Sequence, residues 1–408
     1  MIFFLNFAKI IFINFYIDNK MKDLTRKSLD ESARAMNVIP EEERSDYWGM
    51  YSGDSKIMYK FVFVILFLCL FVCKSVKAQM LNERVITSCA NSVYVFGNDV
   101  YVAGWEKQAQ GENVAILWKN GIAQNLTDGS RNAGAYSVYV SKGGVYVAGW
   151  EVNAQGNAVS KLWKNGEVQE LTDGSKNGYA HSVFVSDNDV FVVGYEKYAS
   201  DRGLTHFCIA KLWKNGIVQN LNDENKSMKA TSVYISGNDV YVAGYEYLLD
   251  KRGTTASVLW KNGINQPLNN DDCLFSEARS ICVWRNNVYI AGVGSDCGTR
   301  NTSAILWKNG AIQYLSKDNC SYTEGNSISV IRNNVYVVGV ASVCSDGSFA
   351  VLWKNGVVQN LKDTWSTATS VFAYKNDVYV VGNKANGRNR ISVLWKNRNE
   401  QELSNSVL

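Results

Sequence analysis

The phrase Leu117-Trp118-Lys119-Asn120-Gly121, with Gln124 and Leu126 at fixed offsets behind it, returns until the chain ends. Its tryptophans are Trp118, Trp163, Trp213, Trp260, Trp307, Trp353 and Trp395, each followed six residues later by glutamine and eight later by leucine. The spacing is 42 to 50 residues. A unit of that length cannot bury its own apolar face, so neighbouring copies must stack to make a core. A chain of 408 residues could hold two or three ordinary domains, but seven copies over residues 92 to 403 read as one array.

Each copy contains two hairpins. The first opens with a run such as Ser92-Val93-Tyr94-Val95, is expected to turn at Asn98-Asp99, and returns through Val100-Tyr101-Val102-Ala103-Gly104. Serine and glycine stand 12 residues apart in all seven copies. The turn pair reads Asn-Asp in four copies, Gly143-Gly144 in the second, and Asn286-Asn287 and Asn333-Asn334 in the fifth and sixth. These residues tolerate the positive φ of a two-residue hairpin. The second hairpin turns at Asn120-Gly121, the strongest short hairpin signal. A two-residue loop there sets Gln124 opposite Leu117, and predicts that tryptophan fills the space between units while glutamine satisfies backbone groups across it. Asn397-Arg398 replaces Asn-Gly in the seventh copy.

Four antiparallel strands repeated seven times predict an all-β chain, a seven-bladed β-propeller of four-stranded antiparallel blades, with an open β-solenoid array as the alternative. Two routes to ring closure stay open. Gln79 and Leu81 precede Ser92 by the offsets that separate Gln124 and Leu126 from Ser137, so they fit an extra outer strand, yet Gln401 and Leu403 already supply the last copy with its own.

Runs such as Ala115-Ile116-Leu117-Trp118-Lys119-Asn120-Gly121 and Val190-Phe191-Val192-Val193-Gly194 resemble the extracellular repeat family often called HAF repeats. There an alanine-x-leucine-tryptophan-x-x-glycine phrase alternates with a strand ending in valine-valine-glycine. The histidine-alanine-phenylalanine that names the family is absent; Cys208-Ile209-Ala210 occupies its place in one copy. The resemblance covers about three quarters of the chain, implies the propeller fold and export, and carries over no active site.

Residues 58–78 read as a secretory signal: Met58-Tyr59-Lys60 is a short basic start, Phe61 to Val72 a 12-residue apolar core, and Val76-Lys77-Ala78 a cleavage site before Gln79. Twelve apolar residues are too few to span a bilayer comfortably. The reading is thus an upstream segment 1–57 outside the mature protein, a signal at 58–78 and a propeller over 79–408, with a secreted, periplasmic or cell-surface location and no membrane span in the mature form. If translation begins at Met1, Ile2 to Ile17 could instead serve as a membrane anchor.

Seven of the nine cysteines lie beyond the signal. Cys273 stands seven residues before Ser280 and Cys297 five after Gly292; Cys320 and Cys344 hold the same offsets from Ser327 and Gly339. Duplicated spacing in two neighbouring copies predicts the disulfides Cys273–Cys297 and Cys320–Cys344 in an oxidising compartment, against the alternative of four buried thiols.

Net charge is +4 with both signs interspersed and no like-charge run, which sets nucleic acid aside. The chain has two histidines, His181 and His206, in no triad or metal-ligand spacing, and no phosphate loop, calcium loop or zinc motif is readable. No cofactor and no metal are expected. What recurs in all seven copies is scaffold, so function is sought in what differs. From glycine to the leucine before tryptophan the separations are 13, 13, 18, 15, 14, 13 and 12 residues, which places the longest loops in copies three and four, with Asp201-Arg202-Gly203 and Asp250-Lys251-Arg252-Gly253. The first four copies follow their glycine with an aromatic and a glutamate: Trp105-Glu106, Trp150-Glu151, Tyr195-Glu196 and Tyr245-Glu246. Aromatic faces beside carboxylates suit a sugar or a cation, while the structural alternative packs the ring on the next blade and leaves the acid to solvent. The resulting expectation is a non-enzymatic propeller that binds a glycan or an extracellular protein. A structural scaffold is the alternative, and a carbohydrate-active enzyme using a pair such as Glu106 and Glu151 comes third.

Overall fold

The computed structural model describes residues 85–108, 111–198, 207–248, 254–268, 275–295, 301–315, 322–343, 347–361 and 365–403. The upstream segment expected at 1–57, the signal expected at 58–78, Gln79 and Leu81 of the possible extra outer strand, the four cysteines of the expected disulfides, His206 and the loop motifs at 201–203 and 250–253 lie outside the described residues. Those described form 28 strands, seven blades of four. In blade 1, β1 (Val85–Phe96), β2 (Asp99–Gln108), β3 (Asn113–Lys119) and β4 (Ile122–Asn125) lie side by side in that order, antiparallel throughout. The other six repeat this plan; blades 5 and 6 are also joined by one parallel pairing, Thr302 with Tyr322.

Both hairpin turns of a blade sit at one end, and a polar clamp locks them together. Asn120 and Gly121 carry φ of 53° and 84°, the two positive values of a type I′ turn. Asn120 Oδ1 then accepts from the Val100 N–H at 2.9 Å while its Nδ2 donates to Asp99 Oδ1 at 2.7 Å. The clamp recurs in every blade, with Asn165, Asn215, Asn262, Asn309, Asn355 and Asn397 each accepting from the corresponding N–H at 2.8–2.9 Å. It also corrects the expected first turn by one residue. Phe96 pairs with Asp99, so the turn is Gly97-Asn98 and Asp99 opens the second strand. The aspartate is kept there as a strut for the neighbouring turn, held in its charged form by the Asn120 hydrogen bond and by Lys119, 2.9 Å away. Where blade 2 has Gly144 instead, a Cβ would lie 2.4 Å from Asn165 Oδ1.

The repeated tryptophans fill the space between blades, as expected. All seven have at most 1% of their surface exposed, and Trp213 of blade 3 packs on Tyr146, Ala148, Leu162 and Leu171 of blade 2. Trp213 Nε1 donates to the Leu171 carbonyl at 2.9 Å, and Trp260 Nε1 to the Leu221 carbonyl at 3.0 Å. The repeated glutamine reaches across the same gap: a Cβ at Gly216 would stand 2.5 Å from Gln169 Nε2, and one at Gly121 3.2 Å from Gln401 Nε2. The last of these contacts runs from blade 7 to blade 1.

Closure is therefore legible in the bonds. The hydroxyl of the repeated serine accepts from the backbone N–H of the next blade's inner strand at 3.2 Å in seven successive steps: Ser92 to Val138, Ser137 to Val183, Ser182 to Val233, Ser232 to Ile281, Ser280 to Ile328, Ser327 to Val371 and Ser370 to Val93. Two residues on, Tyr94, Tyr139, Phe184, Tyr234 and Phe372 meet ring to ring at centroid distances of 4.4–4.8 Å around the central channel, with Cys282 and Ser329 in the remaining two places. The described strands of blade 7 all come from the C-terminal stretch, and Val381, Leu394 and Leu403 pack against Ile116 and Trp118 where the ends of the ring meet.

Candidate functional site

In every blade the inner strand carries a β-bulge immediately before the repeated serine, at Asn91, Tyr136, His181, Thr231, Arg279, Asn326 and Thr369. A bulge leaves one residue unpaired and re-aims its side chain. In four blades the re-aimed group is a latch onto the next blade: Asn91 Nδ2 donates to the Ala135 carbonyl at 2.8 Å, Thr231 Oγ1 to Ala278 at 2.8 Å, Asn326 Nδ2 to Ala368 at 2.9 Å and Thr369 Oγ1 to Ala90 at 2.6 Å. Blades 2, 3 and 5 carry Tyr136, His181 and Arg279 instead. The ring is differentiated on this side.

Tyr136 and His181 stack in parallel at 4.8 Å, and His181 stacks in turn on Tyr195 at 5.3 Å. Tyr179, paired with Tyr195 across the hairpin, meets the Trp150 edge at 5.6 Å and the Tyr195 ring at 5.3 Å. Lys229, on the inner strand of blade 4, lies 4.7 Å from the Tyr195 centroid, 5.1 Å from Tyr247 and 5.8 Å from Tyr245. Loss of water around the imidazole, aided by the Lys229 charge, holds His181 down to about 4, so it is neutral at pH 7. Burial pushes the Tyr136 phenol up to about 12 and that of Tyr195 well above the ordinary tyrosine range. The arc is thus a set of neutral ring faces and hydroxyl donors around the Lys229 ammonium, with a second, Lys197, 5.4 Å from the Tyr179 centroid. On its far side Arg279 Nη1 donates to Glu324 at 2.6 Å and to Asn326 at 2.8 Å, and Nη2 lies 3.3 Å from Glu277. Burial works against the Glu324 charge, but the Arg279 contact more than offsets it and keeps the carboxylate ionised.

The eight residues singled out from sequence are placed by the period of a strand. Trp105, Trp150, Tyr195 and Tyr245 precede their glutamates by one residue, so ring and acid point to opposite sides of the sheet. The rings reach towards the next blade: Trp105 lies against Gly134, Trp150 against Tyr179, and Tyr195 against Lys229. The acids turn to lysines on the other side, Glu151 to Lys161 at 3.5 Å, Glu196 to Lys211 at 2.9 Å and Glu246 to Lys226 at 3.2 Å, while Glu106 is fully buried. Ring and acid therefore do not form a joint sugar subsite. The aromatics of blades 2 to 4 belong to the arc; their glutamates belong to the blade walls. Sequence reasoning missed Tyr136, Tyr179, Lys229 and Tyr247, and passed over His181. The signal that could have found three of the differing places is the variable residue before the repeated serine. Among the described residues no three His, Cys, Asp or Glu side chains converge as metal ligands.

Fold and arc together define a seven-bladed propeller whose blades 2 to 5 present an aromatic and cationic rim on the loop side of the channel. No family model matches the chain, and no curated protein matches it. Solved structures do. An acylaminoacyl peptidase from Pyrococcus horikoshii aligns over 78% of this chain and 52% of its own with TM-score 0.50 and 13% identity. A puromycin-hydrolysing peptidase from Mycobacterium tuberculosis aligns over 79% and 53% with TM-score 0.51 and 12% identity. The propeller domain of the Trilobed protease from Pyrococcus furiosus, described as having an open velcro topology, aligns over 79% and 98% with TM-score 0.50 and 9% identity. The chain spans about half the length of the first two. At these identities the likeness is one of fold. The expectation of a non-enzymatic binding propeller is corrected at this point, since the propellers that match are parts of peptidases.

Proposed function

We propose that this chain is the propeller of a peptide-hydrolysing system, taking up unfolded peptide at its loop-side rim and passing it to hydrolytic groups outside the matched ring. The observation that carries the reading is the ring-wide likeness to the propellers of several peptidases, each of which devotes about half its chain to it. The rim chemistry supports it. Tyr136, His181, Tyr195, Tyr179 and Trp150 offer stacked faces and hydroxyls to apolar side chains and peptide groups, a mixture of broad apolar contact with a few polar fixings that suits extended peptide. The leader read at residues 58–78 extends the proposal to a protein that works after export.

The test is hydrolysis of acyl-peptide, puromycin-type and proline-containing fluorogenic reporters by the full chain, and by envelope extracts of cells with and without it. The expected result is release by the purified chain, or a fall in release when the chain is missing. Unchanged release in the extracts, with none by the purified chain and no saturable binding of the reporters, would sink the proposal.

A further inference from the structure

Lysines on the blade walls have acids to answer them. Lys161 lies 2.7 Å from Glu170, Lys211 2.9 Å from Glu196, and Lys226 3.2 Å from Glu246. On the rim, Lys197 and Lys229 form no ion pair among the described residues; Lys197 lies over the single Tyr179 ring at 5.4 Å, whereas three tyrosine rings, Tyr195, Tyr245 and Tyr247, surround the Lys229 ammonium at 4.7–5.8 Å. Lys229 stands near the start of the inner strand Ser227–Ser236, opposite Tyr245 in the hairpin register, which puts it at the loop-side end of the channel, half-buried, between the stacked rings of blades 2 and 3 and the Arg279 cluster. Ring faces hold a cation in place without neutralising it. The Tyr195 and Tyr245 phenols, driven above their ordinary range by burial, stay protonated and able to donate. Arg279, the next cation along the rim, is already engaged by Glu277, Glu324 and Asn326.

We infer that Lys229 is a carboxylate-recognition residue: with the surrounding tyrosines it forms a subsite for the carboxylate of a bound peptide. The inference rests on the peptide reading above and specifies it. A carboxylate arriving here displaces no acidic partner of Lys229 among the described residues and finds phenol hydroxyls beside the ammonium, the combination that makes charge-assisted hydrogen bonds strong. The carboxylate has two chemical sources, the C-terminus of a peptide or an Asp or Glu side chain within it.

Fluorescein-labelled pentapeptides ending in tyrosine separate them, one as the free acid, one as the C-terminal amide, and one as the amide with glutamate at the penultimate position. Binding to the full chain is followed by polarisation. The free acid, the glutamate amide or both should bind at least 10-fold more tightly than the plain amide, and which of them does so names the source. Lys229→Met should abolish the preference, bringing all three peptides to one affinity, and Lys229→Arg should restore most of it; near-ultraviolet circular dichroism checks that both variants fold. Equal affinity for all three peptides, or a preference that survives Lys229→Met, overturns the subsite while leaving the peptide reading in place. Failure of every peptide to bind overturns both.

Discussion

Ser370 and Val93 stand 277 residues apart in sequence, yet the Ser370 hydroxyl accepts the Val93 N–H at 3.2 Å, the same bond at the same length that joins each other pair of neighbouring blades. The junction between the two ends of the ring is thus built like the interior ones. Ser370→Ala should leave a buried N–H unsatisfied and cost about 1–3 kcal/mol. Ser182→Ala, which strands Val233 in the same way, is the internal control. Urea titration checks it: a neutral Ser370→Ala beside a destabilising Ser182→Ala would mean that the ends are held by something other than this bond.

The seventh blade keeps a flaw. Asn397 and Arg398 have φ of 49° and 74°, the turn that the other blades build with Asn-Gly. A side chain in that region costs about 1 kcal/mol relative to glycine. Arg398→Gly should therefore raise stability by about 1 kcal/mol, and Gly121→Arg should lower it by at least as much, since a Cβ there also meets Gln401 Nε2 at 3.2 Å. Thermal unfolding of the two variants decides.

His181 makes the stability pH-dependent. Its value falls from 6.5 to about 4 on folding, because water is lost from around the ring and Lys229 is near. The unfolded chain takes up a proton below about pH 6.5 that the folded chain refuses until about pH 4, so stability is complete above the first value and lost as pH falls towards the second. The loss reaches about 2–3 kcal/mol by pH 4.5. Denaturant unfolding at pH 7.5 and 4.5 should show it in the native chain and not in His181→Gln; a slope unchanged by that substitution would move the effect to other groups.

Trp260 has no exposed surface, and its indole N–H is bonded to the Leu221 carbonyl of the preceding blade. Trp260→Ala should cost about 3–5 kcal/mol through lost burial and the cavity left behind. Trp260→Phe should recover more than half of that. If the alanine variant unfolds with the native midpoint, the tryptophan is not the interblade wedge that its burial implies.

Much of this protein is written in its linear order. Tryptophan, Asn-Gly and the serine-to-glycine spacing each recur seven times, and because hairpin turns and strand period are local, they fix four strands per unit and seven units without knowledge of anything distant. The ring itself was nearly legible for the same reason, since a glutamine and a tryptophan kept at one offset must answer a gap between copies. The expected turn at Asn98-Asp99 failed by one residue because Asp99 is retained by a contact 21 residues away, with Asn120, and not by its own backbone.

The rim was not legible, and the reason is physical. Neighbours along a strand diverge, so Tyr195 and Glu196, adjacent in sequence, answer to Lys229 and Lys211 on opposite sides of the sheet. Residues that do act together, Tyr136 with His181 and Tyr195 with Lys229, come from three successive blades and meet only when the ring closes and a bulge turns an inner-strand side chain into the channel. Sequence by itself determined the blade, because the forces that make a hairpin act within a dozen residues. Only the tertiary structure decided which faces look at one another across the channel, because that depends on the packing of whole blades.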